Sequence, residues 1–582
     1  MTMLSTSLMK APAGNSANNP ARPGSYCLEN ADVCDKAMSK ARSRLLVGVA
    51  VFFCSFALMG VRTIELGFSE PMAERPVAHK VVVQPVEFGR ADILDRNGEI
   101  LATNLETSSL YANPSMIEDA AEATRKLIEV LPELSEADIQ SKLSSSRKFV
   151  WLKRKLTPRE KWEVNALGIP GFQFQREEER IYPHGRLASH VLGYVDVDGN
   201  GLGGVEHFFD YRLNEKSRRN EPIQLSLDIR VQYALADELE AAMRAHEAKG
   251  AAGLVLDVNT GEVVAMASLP DYDPNNMRGV GGQERFNRVT QGVYELGSTF
   301  KTFTFAAAMD NNIIDFEDEY DATKPLRVSR FWIRDDHPKA RVLTVPEVFA
   351  FSSNIGTAQI ALDLGTDQQK EFLSELGLLE PSNLELTEVG APLYPSNWRK
   401  VSTMTISYGH GIAVSPVQLA SGIATMVNGG RHIPATLIHK NEDWADGRQV
   451  IKPSTSQKIR QLLRLAVMKG TGGNANAVGY RVGGKTGTAE KAQDGGYNRK
   501  ALISSFIGAF PMDNPQYVVF ALLDEPKGTR ETHGFASGGW TAAPVVRNVI
   551  MRAAPLLGVS PVEEDEGLYH QAGLLIEDKK KR

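Results

Sequence analysis

Cysteine is nearly absent from this chain of 582 residues, which has three, Cys27, Cys34 and Cys54. All lie at or before one apolar segment, so the long remainder has no internal disulfide, cysteine nucleophile or thiolate metal site. Histidine is scarce too. His190, His337 and His410 show no His-x-x-x-His spacing, so zinc chemistry has no motif here, and the sequence assigns them structural or peripheral places. Basic charge is not in excess: the formal net charge is -6, which gives no basis for nucleic-acid binding. Neither metal nor cofactor is implied. Long apolar runs are limited to Leu45 to Val61. The glycine-rich stretch Gly199 to Gly204 lacks the Lys-Ser/Thr ending and the preceding strand of a phosphate-binding loop, and reads as a plain loop.

What is present is an ordinary globular composition, 42% hydrophobic and 23% charged. Residues 1–43 are rich in Ser, Ala, Asn and Pro and read as a flexible cytoplasmic tail. Residues 44–62 are expected to be an uncleaved transmembrane signal-anchor. Lys36, Lys40, Arg42 and Arg44 precede it, which predicts a cytoplasmic N-terminus and places the rest across the membrane. Residues 63–221 form a less regular pedestal, in which Asn97-Gly98 signals a hairpin with positive φ tolerated at both positions. Residues 222–561 have a different texture, with strands around Asn259-Thr260-Gly261 and two more from Ser504 to Phe510 and from Tyr517 to Leu523. One sheet built from distant segments, with helices between, is expected. Residues 562–582 are expected to be a disordered tail.

Chemistry concentrates at Tyr294 to Lys301. Gly297 permits a tight approach, Ser298 is expected at or near a helix N-cap, and the residues from Thr299 to Met309 carry almost no charge after Lys301. Such a helix belongs in a core. Ser298 and Lys301 are three apart and share a helical face. A lysine in apolar surroundings loses preference for its charged form and can take a proton from the serine, giving an activated nucleophile without histidine. Ser-x-x-Lys alone is weak, since Ser7/Lys10 and Ser145/Lys148 repeat it without an apolar helix. Ser352-Ser353-Asn354 follows about fifty residues later, and Lys485-Thr486-Gly487-Thr488 about 130 after that, beside an expected strand from Tyr480 to Val482. Lys485 and the threonines suit a substrate carboxylate. Gly487 removes a side chain, so a peptide could lie along the strand.

The ordered set Ser-x-x-Lys, Ser-x-Asn, Lys-Thr-Gly is the signature of penicillin-binding proteins and serine β-lactamases. The flanks resemble a division-specific class B penicillin-binding protein over nearly the whole chain: FGRADILDRNGEILA, RIYPHGRLASHVLGYV and GLGGVE in the pedestal, then ASLPDYDPN, SYGHGIAVSPVQLA and GGKTGTAEK. Ala91 stands where glycine is usual, and Leu296 where proline is usual. The resemblance implies an α/β (α+β) transpeptidase domain with an antiparallel sheet flanked by helices, behind a pedestal and one transmembrane helix. It implies that Ser298 attacks the penultimate D-alanine carbonyl of a stem peptide. Lys301 takes the serine proton, and Ser352 relays one to the leaving nitrogen with Lys485 nearby. Asn354 contacts the donor, and Thr486 and Thr488 bind the terminal carboxylate. The backbone N–H groups of Ser298 and Thr488 form the oxyanion hole.

Implied partners are peptidoglycan stem peptides, β-lactam antibiotics as inhibitors, a polytopic lipid-II glycosyltransferase and other division proteins, at the cell inner membrane. A class A β-lactamase would need a Glu-x-x-Leu-Asn element between Asn354 and Lys485, and none occurs. A β-lactam sensor would need several spans and His-Glu-x-x-His. Elongation-type relatives tend to read Ser-x-Asp, and this chain reads Ser-Ser-Asn.

Overall fold

The computed structural model describes residues 31–68, 89–218, 220–328, 331–440, 446–493 and 496–562. The chain divides into two compact units, Met1–Glu87 and Phe88–Arg582. In the first, one helix runs over Ala31–Phe68, beyond the expected 44–62 on both sides. Residues 31–43 contain no Gly or Pro to stop it, so this part of the expected flexible tail is helical. Residues 1–30 and the C-terminal tail after Val562 lie outside the described residues. Within the helix, Arg42–Val61 spans 20 residues with a mean hydropathy of 2.1. At ~1.5 Å per residue this is about the thickness of a bilayer's hydrocarbon core. Leu46, Phe52, Phe53, Phe56 and Leu58 are all exposed, on every side of the helix, which suits lipid rather than water.

The second unit begins with the pedestal sheet. Its strands run in the order Val150–Leu156, Ile100–Ala112, Ile93–Leu94, Ile223–Gln224, and Phe172–Ile181 pairs with the other edge of Ile100–Ala112. Leu110, Leu127, Leu131, Leu143 and Leu152 form the core between this sheet and its helices. The helices start where their caps dictate: Asp119 accepts from Ala121 N and Glu122 N, and Thr157 forms a capping box with Glu160. The turn at Asn97-Gly98 departs from expectation, because only Gly98 has positive φ (86°). The Asp95 carboxylate does the rest, accepting from Asn97 N at 2.7 Å and Glu99 N at 2.9 Å.

Three pedestal motifs turn out to be parts of one buried ionic knot. Arg90 of FGRAD and Arg180 of RIYPHG both pair with Glu206 of GLGGVE, and all three side chains are at most 4% exposed. Charges leave water at this depth only when paired. The glycine loop is likewise a packing device. A Cβ on Gly201 would fall 2.1 Å from the Glu206 carbonyl oxygen, and one on Gly204 would fall 2.5 Å from Gly193 N.

The second sheet is antiparallel and ordered Gly483–Gln493, Gly496–Phe510, Tyr517–Asp524, Gly250–Asp257, Val263–Leu269. It therefore joins the two ends of the region from 222 to 561. Tyr517–Asp524 is buried along its whole length, because both faces are covered. Val518, Phe520 and Leu522 face one core with Phe303, Phe305 and Leu419. Val519, Ala521 and Leu523 face the other with Leu235, Leu239, Val546 and Ile550. The period-2 alternation of a strand thus divides the two helical layers. Gly483–Gln493 lies at the sheet edge, and its free side carries the site.

Candidate active site

The nucleophile turn differs from a simple capped helix. Gly297–Phe300 is a 3-10 turn whose N-cap is Leu296, without a side-chain cap bond, and the α-helix Lys301–Asp310 follows. Ser298 is therefore inside the turn and not its cap, and its hydroxyl makes no hydrogen bond among the described residues. Gly297 has φ of +55°, and a Cβ there would lie 2.7 Å from the Thr488 carbonyl oxygen. This close approach sets the turn against the edge strand, with Ser298 half-buried beside it. Every residue from Lys301 to Met309 is buried.

Lys301 Nζ donates to Ser352 O at 2.5 Å, to Ser352 Oγ at 3.0 Å and to Asn354 Oδ1 at 2.8 Å. Lys485 Nζ reaches the same Ser352 Oγ at 2.9 Å. Both lysines are 0% exposed. Burial pushes Lys301 down to about 7, against the opposing pull of Asp335 and Asp336. Burial and the nearby Lys301 hold Lys485 well below the ordinary lysine range. Two amines meeting on one hydroxyl oxygen are within about 6 Å of each other. Like charges there repel by about 3 kcal/mol at an effective dielectric of about 20. One neutral amine and one ammonium fit better than two ammonium ions, and a neutral amine is a base. Lys301 forms no hydrogen bond to Ser298 among the described residues.

Lys485 to Thr488 lie within the strand Gly483–Gln493, whereas the sequence placed the motif beside a strand from Tyr480 to Val482. Alternation sends the motif's side chains to two faces. Lys485 points to Ser352. Thr486 Oγ1 lies 2.9 Å from Thr471 Oγ1, and Thr488 Oγ1 accepts from Gly538 N at 3.1 Å. Gly487 also makes room within the protein itself. A Cβ there would meet Leu296 O and Ser505 Oγ at 2.4 Å, so the missing side chain makes room for the nucleophile turn.

Two contributors escaped the sequence reading. Asp335 accepts from Ser353 Oγ at 2.7 Å and Ile355 N at 3.0 Å, and Arg334 O accepts from Asn354 Nδ2 at 2.9 Å. This segment holds Ser352, at a strained φ of 59°, and Asn354 against Lys301. No motif in the sequence announces it. Asp335→Ala should remove two bonds to a carboxylate, costing about 1–2 kcal/mol in positioning, or about a 5- to 30-fold slower acylation by a chromogenic cephalosporin. Stopped-flow acylation rates check this, and an unchanged rate would dismiss the support role. His410, read as peripheral, lies at the nucleophile turn: its Nδ1 is 3.3 Å from Glu295 Oε2.

A half-buried serine on a tight turn, with two desolvated lysines sharing one serine hydroxyl and a sheet edge alongside, makes a candidate serine acyl-transferase site. The penicillin-binding protein transpeptidase domain matches residues 251–551, and the penicillin-binding protein dimerisation domain matches residues 85–217. The chain is 39% identical over 529 residues to a probable peptidoglycan D,D-transpeptidase FtsI of Caulobacter vibrioides, covering 89% of each chain. It is 28% identical to the peptidoglycan D,D-transpeptidase FtsI of Escherichia coli K12, covering 89% of this chain and 92% of the relative. Its fold is that of penicillin-binding protein 3 from Mycobacterium tuberculosis, solved with ampicillin, at a TM-score of 0.66 and 24% identity over 82% of this chain and 97% of the other. The chain belongs to the penicillin-binding proteins and is a serine-type transpeptidase of that family.

Proposed function

We infer that the chain is a peptidoglycan D,D-transpeptidase of the division septum. The observation that carries the reading is Ser352 Oγ held by both Lys301 and Lys485 beside the Ser298 turn. Ser298 Oγ attacks the penultimate D-alanine carbonyl of a donor stem peptide and passes its proton to Lys301. Ser352 carries a proton to the leaving D-alanine nitrogen, with Lys485 balancing charge. Backbone N–H groups of Ser298 and Thr488 receive the developing oxyanion, each worth about 2.7–4 kcal/mol in a studied hydrolase. Thr486 and Thr488 receive the terminal carboxylate, and the donor lies along the free edge of Gly483–Gln493. Asn354 contacts the donor from the Lys301 side. A β-lactam enters the same path and stops at the acyl-enzyme.

The septal role is supported by the relatives above and by the Ser-Ser-Asn form of the second motif. Lys36, Lys40, Arg42 and Arg44 before the apolar helix support an N-terminus in the cytoplasm and a periplasmic catalytic domain. That topology gives the enzyme its lipid-linked substrate and sets it beside a polytopic lipid-II glycosyltransferase and other division proteins. The test is a labelled penicillin added to intact spheroplasts, followed by tandem mass spectrometry. The expected result is one adduct, on the peptide carrying Ser298, formed without membrane permeabilisation. An adduct on another residue overturns the site, and labelling only after permeabilisation overturns the topology.

A further inference from the structure

Three residues before Ser298, the Glu295 carboxylate gathers a set of groups that acylation does not use. Its Oε1 accepts from Gly411 N and from Tyr497 Oη, each at 3.0 Å. Its Oε2 is buried without a hydrogen-bond partner, and His410 Nδ1 stands 3.3 Å away. The imidazole is fixed by its neighbours. It lies over Tyr408 with ring centroids 6.4 Å apart and against Tyr497 at 4.6 Å. Its backbone is tied to the end of the helix Lys400–Ile406, with His410 N donating to Thr405 O at 3.0 Å. The preceding Gly409 is pressed onto the nucleophile turn: a Cβ there would fall 2.1 Å from Gly297 O. One residue adds ~3.8 Å of Cα spacing, so the backbone of His410 lies beside the turn that carries Ser298.

The Glu295 carboxylate beside Nδ1 favours the tautomer with its proton on Nδ1, which leaves the Nε2 lone pair as the acceptor. The His410 side chain is 43% exposed, whereas Lys301 and Lys485 are 0% exposed and already held by Ser352 and Asn354. The second half of the reaction brings an amine from solvent, and that amine must lose a proton as it forms the new bond. A base that meets an incoming group has to be reachable from solvent, and His410 is.

We propose that His410, oriented by Glu295, is the general base for the acceptor amine. The proposal rests on the acyl-enzyme at Ser298. The amine nitrogen forms the C–N bond to the acyl carbonyl and gives its surplus proton to His410 Nε2. The C–O bond to Ser298 breaks, and Ser298 Oγ recovers a proton from the Lys301–Ser352 pair. His410 then releases its proton to water, and the Lys301–Ser352 pair takes one back from water, so ester and amine become amide and serine.

The test uses the full chain in detergent, a benzoyl-D-alanyl thioester as donor and D-alanine as acceptor amine. Acylation by benzylpenicillin is followed separately. His410→Gln should lower kcat for aminolysis by ~10²-fold or more, with acceptor KM and penicillin acylation each changing less than about threefold. Glu295→Gln should give a smaller loss of the same kind. His410→Tyr keeps a ring between Tyr408 and Tyr497 without a base at that position and should behave as His410→Gln does. Aminolysis that is unchanged in these variants, or that falls in step with acylation, overturns the proposal, as does failure of both His410 variants to bind penicillin stoichiometrically. Failure of the wild-type chain to acylate at Ser298 would instead overturn the reading on which the proposal rests.

Discussion

Ser298→Ala is expected to abolish covalent capture of benzylpenicillin while leaving the protein folded. The hydroxyl makes no hydrogen bond among the described residues and is only half-buried, so its loss should change stability by about 0.5 kcal/mol or less. The catalytic loss is of another order. Removing the serine of a studied serine hydrolase costs about 2 × 10⁶ in kcat, because the attacking group acts as a unit with its base. Ser352 is not a substitute. Its oxygen is engaged by two lysine amines at 2.9 and 3.0 Å, and its backbone is held at a φ of 59°. Intact-protein mass after exposure to penicillin gives one adduct in the wild-type chain and none in the variant, and thermal unfolding of the two should coincide. An adduct at unchanged stoichiometry in the variant would remove Ser298 from its role.

Local pattern carried much of this fold. The continuous apolar run from Tyr517 to Leu523 marked a strand, and the helix after Ser298 was legible because charge vanishes after Lys301. The chemistry-bearing motifs were legible as residue types and spacing. What stayed hidden depends on which segments meet. Gly487 reads as room for a substrate, yet its missing side chain is filled by Leu296 O of a turn almost two hundred residues earlier. Asp335 has no helical or strand periodicity to flag it, and its meaning appears only where Ser353 and Ile355 fold onto it. His410 lacks any metal-like spacing, so sequence reasoning set it aside. Its partner Glu295 is over a hundred residues away and is brought to it by the close packing of Gly409 on Gly297. The helix runs past the expected apolar span for a simpler reason. Between Ala31 and Ser43 composition suggested a tail, but backbone propensity without Gly or Pro allows the helix to continue.

Acylation should rise with pH through about 7 and then level off, and Lys301→Gln should erase that rise. The direction follows from which form of Lys301 can act. Burial brings its amine down from 10.5 to about 7, so below that pH the folded protein holds an ammonium that cannot accept the Ser298 proton. Each further unit of acidity should then slow acylation by about tenfold. Above it the neutral amine is available and the rate is flat, because the penicillin carboxylate is ionised throughout. Lys301→Gln keeps polar contact with Ser352 and Asn354 but has no base, so acylation at about pH 8 should fall by about 10²- to 10⁴-fold. The same shift has a stability sign. Between about 7 and 10.5 the unfolded chain binds a proton at this lysine that the folded chain does not. Wherever the unfolded state holds more protons, stability rises with pH. Lys485, also lowered, acts in the same direction. The wild-type chain should therefore gain stability across that window, and Lys301→Gln should flatten part of the slope. Second-order acylation constants from about pH 5.5 to about pH 9, paired with denaturant unfolding at the same values, read both consequences. A wild-type acylation profile that stays level through neutrality, or one that Lys301→Gln reproduces at lower amplitude, would assign the base to another group.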